Sequence, residues 1–558
     1  MKTIKSTVKL FKVCFLLYIG IFLNVIPLKA QVIQSWANKY NGPGNYQDYA
    51  YAIATDGSGN VYVTGGSWGN NGTEYDYATV KYNSAGVQQW VQRYDGPSSS
   101  NDVAVAIAVD ASGNSYVTGY SWKSFSYNEI ATIKYNSAGV QQWLTRYHTP
   151  NDTGNSPTAI AIDASGNVYV TGITVEVLGV YDYVTVKYNS SGVQQWAKIY
   201  KFQGVGYGQS TPTALVVDNI GNVYVTGYSN IYRNSATNSD YATIKYNSNG
   251  DSLWVRRYAG LAELNNQALA MAVDANGNVY VTGWSYYDAN NVVYATLKYN
   301  SSGVQQWVQY YDGGLNTSKA NAIALDASGN IYVTGWSYGI GQDYTTVKYN
   351  PAGTQQWVQR YDGGASGDFE DVAYAIAVDK YSNVYVTGSS FGNTTGNDFA
   401  TVKYNTAGVQ QWVERWSSSG AVDDEAFCMT VDTSGNVWVA GRTTNGSVGY
   451  DYATVKYSQT VGIKAISSEI PGSFKLMQNY PNPFNPTTSI RYDLPKNSFV
   501  KLVVYDILGK EVQTLVNEKQ TPGTYEVTFD GLNYSSGVYY YKLTGENIGG
   551  TKRMILVK

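Results

Sequence analysis

The segment Asp56-Gly-Ser-Gly-Asn-Val-Tyr-Val-Thr-Gly65 returns, with small changes, from Asp110, Asp163, Asp218, Asp274, Asp326, Asp379 and Asp432. A second segment, Tyr77-Ala-Thr-Val-Lys-Tyr-Asn83 followed by Gly86-Val-Gln-Gln-Trp90, recurs in step and places Trp at 90, 143, 196, 254, 307, 357 and 412. Successive aspartates are 54, 53, 55, 56, 52, 53 and 53 residues apart. A fixed period of this size marks units that bury their apolar faces only against their neighbours.

Inside the first unit, period-two alternation of Val, Tyr and Thr predicts strands over 49–55, 60–67, 77–83 and 87–94, here A to D, with Gly, Asn, Asp and Ser between them. Asp-x-Ser-Gly-Asn and Asn-Ser-Ala-Gly place Gly where a tight hairpin wants positive φ. Four antiparallel strands at this period are a propeller blade, so the expectation is an all-β, eight-bladed propeller over 31–460. The eighth unit stops at Tyr457-Ser458 without its Gln-Gln-Trp strand. Gln34-Ser35-Trp36-Ala37-Asn38-Lys39-Tyr40 supplies the match, so the N-terminal strand should complete blade 8 and cover its open edge.

These units resemble the bacterial propeller repeats called SBBP repeats. That family is named for seven blades, and a seven-bladed ring is the alternative architecture; the resemblance implies a fold and no defined chemistry. After a linker over 461–473, residues 474–558 carry alternating runs at 489–494, 500–505, 525–529, 538–543 and 554–557, enough for a small Ig-like β-sandwich. This segment resembles the C-terminal sorting domain of type IX secretion cargo through Tyr480-Pro-Asn-Pro-Phe-Asn-Pro486, Val504-Tyr-Asp-Ile-Leu-Gly509, Ser536-Gly-Val-Tyr-Tyr-Tyr541 and residues 551–558. The resemblance implies a Bacteroidota-type host, the type IX machinery as partner, and an extracellular or outer-membrane-surface destination.

The N-terminus agrees with export. Lys2, Lys5, Lys9 and Lys12 precede an apolar stretch over 13–23 and a small residue at Ala30, the pattern of a signal peptide over 1–30. No later apolar run reaches the roughly 20 residues that span a bilayer. The net charge of -3, without a dense Lys/Arg run beyond the N-terminus, argues against nucleic acid as a partner. Cys428 is the only cysteine left after the signal, and His148 the only histidine in the chain. Zinc clusters of His and Cys are thereby excluded, and so is a Ser-His-Asp triad with a histidine to spare.

Features that recur eight times belong to the scaffold. The Asp56 series is expected to order its own turn, although Asp274-x-Asn276-x-Asn278 also suggests a calcium loop. Lys81 and its equivalents are expected against aromatic faces or beside those aspartates. Function is sought where the units differ, on the side of the D–A and B–C connections, which are long and variable at 66–75, 201–212 and 228–239. Just after the Val-Thr-Gly strand stand Trp68, Trp122, Tyr228, Trp284, Trp336 and Phe391, candidate ligand-binding residues for glycan or protein; filling of the gaps between blades is the structural reading of the same residues.

Eight positions before each repeated aspartate, the ring reads Asp48, Asp102, Asn155, Ser210, Asn266, Ser318, Asp371 and Asp424. The four acids fall in blades 7, 8, 1 and 2, with Glu370 and Asp423 beside them, which predicts a lopsidedly acidic pore mouth. No cofactor is required, but hard oxygen donors of this kind suit calcium. The function expected is a secreted or surface-displayed, non-enzymatic binding or adhesion propeller. The alternatives are a polysaccharide-degrading glycosidase or lyase with carboxylates at the channel mouth, and a structural surface protein.

Overall fold

The computed structural model describes residues 32–558 except 71–73, 99, 125–126, 150–153, 178–179, 202–207, 234–235, 315–316, 340, 365–368, 419–422, 433–434, 447–448, 460–463, 468–469, 532–533 and 547. The expected signal peptide lies outside the described residues. Among the described residues every regular element is a β-strand, and no helix is long and apolar enough to cross a membrane. The described chain forms two compact units, one ending at Val461 and one over Gly462–Lys558.

In the first unit, Asp48–Thr55, Val61–Trp68, Tyr75–Tyr82 and Gln88–Tyr94 pair in order as strands A to D of blade 1. The same four-stranded sheet follows with A strands at Asp102–Val109, Asn155–Ile162, Gly208–Val217, Asn266–Val273, Ser318–Leu325 and Val372–Val378. Blades 3 and 4 are additionally bridged at Val180↔Gly208 and Tyr181↔Gln209. The last sheet joins Asp424–Val431, Val437–Asn445 and Gly449–Gln459 to the N-terminal strand Val32–Tyr40. Among the described residues the propeller sheets number eight. Each A strand touches the next blade's A strand, and Asp424–Val431 touches Asp48–Thr55, so the innermost strands form a closed ring.

The repeated polar residues make both tight turns. Asp56 Oδ1 accepts from the amides of Ser58 at 2.9 Å and Asn60 at 3.0 Å, while Oδ2 accepts from Asn60 Nδ2 at 2.7 Å and the Tyr62 hydroxyl at 3.1 Å. Asp274 does the same with Asn276 and Asn278 at 2.9 Å, which makes that segment a turn of the common kind. In the C–D turn, Gly86 has φ +84° and lies under the Trp36 ring, where a Cβ would meet ring atoms at 2.7 Å. Only glycine satisfies both demands.

The same turn clamps adjacent blades. The carbonyl of Ser137 in blade 2 accepts from Lys81 Nζ at 2.8 Å and Trp90 Nε1 at 3.2 Å, both from blade 1. Lys81 also stands 4.9 Å over the Tyr62 ring, and the seven equivalent lysines hold ring distances of 4.9–5.2 Å. Such a contact contributes on the order of 1 kcal/mol where it is partly desolvated. Lys456 and Trp36 of blade 8 clamp onto Ser84 of blade 1 at 2.9 and 3.2 Å.

The seam between blades 7 and 8 differs, because blade 8 has no C–D turn to offer a carbonyl. Lys403 Nζ donates instead to Gln459 Oε1, and Gln459 Nε2 donates to the Tyr385 hydroxyl at 2.6 Å and Gly435 O at 2.9 Å. Among the described residues, Trp412 Nε1 is buried there without a partner. Burial holds the Lys403 ammonium down at about 8.

In the second unit, Lys464–Ser467, Gly523–Asp530, Thr487–Leu494 and Lys475–Leu476 form one antiparallel sheet. Glu511–Gln520, Ser498–Tyr505, Gly537–Gly545 and Ile548–Leu556 form the other. Alternate residues of both are buried, including Ile490, Val527 and Phe529 from the first and Leu502, Tyr541 and Met554 from the second. The expected linker over 461–473 is corrected here. Lys464–Ser467 pairs with 524–526, so this unit begins before residue 474. A four-residue strand is too short to show alternation, and its partner lies about sixty residues downstream.

Candidate functional site

The residues eight before each repeated aspartate open the A strands and are buried. Asp48 accepts from the amides of Gly42 at 2.7 Å and Trp68 at 3.1 Å, tying the incoming D–A connection to strand B of its own blade. Asp102 does so with Gly96 and Trp122 at 2.5 and 3.1 Å, and Asp371 with Gly363 and Phe391 at 2.7 and 2.9 Å. Asp424 takes the Ser418 amide at 2.7 Å. Burial raises all four carboxyls, Asp102 to about 6. The expectation of one acidic mouth formed by these four is therefore revised. Among the described residues, no two of them belong to a common group of converging carboxylates. Each is a latch within its own blade, because a short buried acceptor at a strand start is best satisfied by nearby amides.

The six aromatic candidates occupy two registers. Trp68, Trp122 and Phe391 stand twelve residues after the repeated aspartate, whereas Tyr228, Trp284 and Trp336 stand ten after it. All six are half-buried. Trp68 meets Tyr75 and Tyr46 edge-on at 5.0 and 5.3 Å, and Phe391 stacks on Phe369 at 4.0 Å. Lys319 of blade 6 lies 4.8 Å over the Trp284 ring of blade 5 and 5.9 Å from that of Trp336. These rings serve loop bases and the gaps between blades, and they are spread over six blades. The variable segment 228–239 is a long hairpin, with Val223–Arg233 paired to Ala236–Tyr246 as far as Arg233↔Ala236.

A different series comes together. Every A–B pair has a register shift at the residue five before the repeated aspartate, a β-bulge that releases this residue from the ladder. Because A strands are innermost, the bulges form a ring about the axis. In blades 2 to 6 it carries Val105, Thr158, Thr213, Leu269 and Asn321; in blades 7, 8 and 1 it carries Tyr374, Phe427 and Tyr51. Phe427 contacts Tyr374 edge-on at 6.0 Å and stacks on Tyr51 at 6.5 Å, and Tyr51 stacks on Tyr49 at 6.1 Å. Tyr51 and Tyr374 are exposed by 42% and 39%, high for large side chains on innermost strands.

Arg442 supports this arc. Its guanidinium lies 4.3 Å from the Tyr450 ring, 5.4 Å from Tyr49 and 5.8 Å from Phe427, and Nη2 donates to Glu425 Oε1 at 2.8 Å. The ion pair and three rings fix the arginine, which in turn fixes the rings. Cys428, one residue beyond the bulge, donates through Sγ to Ala440 O at 3.5 Å, and burial pushes its thiol up to about 12, so it is no nucleophile. His148 sits in a D–A connection, where its Nδ1 lies 3.1 Å from Thr149 O. The aromatic arc was missed in the sequence, although aligning the residue five before each aspartate displays it.

Comparison with known proteins adds the following. The family model described as "Secretion system C-terminal sorting domain" matches residues 478–558, and the one described as "Beta-propeller repeat" matches 40–73, 89–126 and 306–341. No curated protein matches the chain. Among solved structures, the chain is similar to the β-propeller domain of the Trilobed protease from Pyrococcus furiosus at 8% identity and TM-score 0.39, covering 65% of this chain and 98% of that one. A protein of unknown function from Dyadobacter fermentans is similar at 12% identity and TM-score 0.34, over 56% of this chain and 96% of that one. An α-L-arabinofuranosidase, Arb93A, from Fusarium graminearum is similar at 10% identity and TM-score 0.33, over 74% and 95% respectively.

Proposed function

Since this chain is a propeller of SBBP-type repeats with a type IX secretion C-terminal sorting domain, exported to the extracellular or outer-membrane surface, we propose that its propeller is a non-enzymatic module that binds glycans on the bulge arc. The observation that carries this reading is the run of contacts from Tyr374 through Phe427 to Tyr51, three adjacent innermost strands that present aromatic rings where the other five present none. Flat rings receive the C–H faces of sugars, and the chain as a whole, with 14% charged residues, suits a neutral polymer. Arg442 holds the rings in place, so little side-chain entropy is lost on binding.

In a glycan screen of the mature chain, the expected result is binding to an extended neutral glycan that is recovered at its original length. Each stacked ring contributes on the order of 1 kcal/mol, so Tyr51→Ala combined with Tyr374→Ala is expected to weaken binding about tenfold or more. Shortened products would show a glycosidase or lyase instead.

A further inference from the structure

Three carboxylates from two blades converge where blade 1 meets blade 2. Asp76 lies at the start of strand C of blade 1, Asp95 follows its strand D, and Asp102 opens strand A of blade 2. One oxygen from each lies within 4.8 Å of the others. Asp76 and Asp102 are buried, at 6% and 0% exposure, and Asp95 is exposed.

Bringing three acids together is unfavourable without a counter-charge, and the arginines nearby do not supply all of it. Arg93 Nη2 binds Asp76 Oδ2 at 2.8 Å, while its Nη1 is spent on the Ser67 and Tyr40 hydroxyls at 2.5 and 3.1 Å. Arg146 is engaged by Glu129 at 2.6 Å. Among the described residues, Asp76 Oδ1 is buried with no hydrogen-bond partner. An orphaned buried acceptor of this kind costs about 1–3 kcal/mol, more when charged. Asp102 takes the Gly96 and Trp122 amides, one on each oxygen, and the Ser121 hydroxyl, which leaves its carboxylate room for one further partner.

We propose that the blade 1–blade 2 junction is a calcium site formed by Asp76, Asp95 and Asp102, with Asp95 as the solvent-facing ligand. The donors are all hard oxygens, which suit calcium and not a transition metal. Burial, with the charge of Asp95 adding to it, holds Asp76 and Asp102 above the usual carboxylate range, as expected of acids arranged for a cation. The ion ties strand C of blade 1, the D–A connection and strand A of blade 2 together, so its binding reads out as stability of the ring.

Among the described residues, one other junction, between blades 6 and 7, repeats the three acids as Asp343, Asp362 and Asp371. There Asp343 is more open, and its Oδ2 takes both Nε and Nη2 of Arg360, at 3.2 and 2.6 Å. Asp312 holds the position of Asp95 in blade 5, but there Val293 and Ser318 stand in place of the other two acids; elsewhere the position is held by residues such as His148, Lys201 or Ser417. The second junction is thus an internal control.

The test is thermal unfolding of the EDTA-stripped mature chain, titrated with calcium chloride and, separately, with magnesium chloride. The expected result is a saturable rise in Tm with calcium, weakened at least tenfold in midpoint by Asp95→Asn and unaffected by Asp362→Asn. Asp95→Ser, which copies Ser417 of blade 7, serves as a second variant, and the exposure of Asp95 predicts an unchanged Tm in EDTA for both. Extracellular calcium modules bind at about 10⁻⁴–10⁻³ M. No calcium-dependent rise up to about 10 mM, or a rise that survives both Asp95 variants, overturns the proposal.

Discussion

A chain lacking residues 31–41 is expected to lose its folded monomer. The strand Val32–Tyr40 pairs along its whole length with Gly449–Gln459, from Val32↔Gln459 to Tyr40↔Tyr452. Without it, Gly449–Gln459 becomes a long unpaired edge open to other chains. The clamp onto blade 1 goes as well. Trp36 donates to Ser84 O at 3.2 Å, Asn38 to Gly86 O at 2.6 Å, and the Tyr40 hydroxyl accepts from Arg93 at 3.1 Å. Removing a buried Trp costs about 3–5 kcal/mol, and Trp36 is half-buried. With the backbone ladder and the Tyr40–Tyr452 contact at 5.3 Å, the loss approaches the roughly 5–15 kcal/mol that holds a typical domain together. Aggregation on size-exclusion chromatography is expected. The milder Trp36→Ala should remain monomeric and melt several degrees lower. Monomeric elution of the deletion at the parent's Tm would show that the ring does not need this strand.

Deleting Gly462–Lys558 is expected to abolish surface delivery and leave the propeller folded. The deleted part is a compact unit of its own with two sheets, and the sorting-domain match lies wholly inside it. The cut belongs before Lys464, because a cut at 473 would leave Lys464–Ser467 without its partner at 524–526. In a host with a type IX system, the truncated chain should accumulate in the periplasm with the full-length propeller's Tm. Undiminished surface display of the truncated chain would contradict the export assignment.

What the sequence shows and what it hides follow from how each feature is encoded. The closing strand was legible because Trp36 sits in a local pattern shared with Trp90 and its equivalents. The Asp56 turn and the Lys81 contact were legible for the same reason, and the structure places both as expected. The working surface was not. Period-two alternation assigns faces only while the ladder is regular, and the bulge at Tyr51 breaks it, so the direction of that side chain cannot be counted along the strand. The aromatic series ending in Phe391 mixed two registers two residues apart, which share a strand face and look alike in a list. The acids at Asp48 and its equivalents suggest a mouth in the sequence because it shows their charge but not the amides, such as those of Gly42 and Trp68, that satisfy it. Long-range exchange is equally hidden. In blade 5, Tyr310 stands where other blades have Arg93 or Arg257, Val293 replaces the acid, and the Tyr310 hydroxyl instead meets Tyr258 at 2.6 Å.

A binding surface confined to blades 7, 8 and 1 is tested most directly by calorimetric titration of one glycan from the screen into two single variants of the bulge ring. Phe427→Ala removes the middle of the aromatic arc, and Leu269→Ala truncates the equivalent residue three blades away. The predicted result is a roughly fivefold or greater loss of affinity for Phe427→Ala with no change for Leu269→Ala. Unchanged affinity in Phe427→Ala, or equal losses in both, would contradict it.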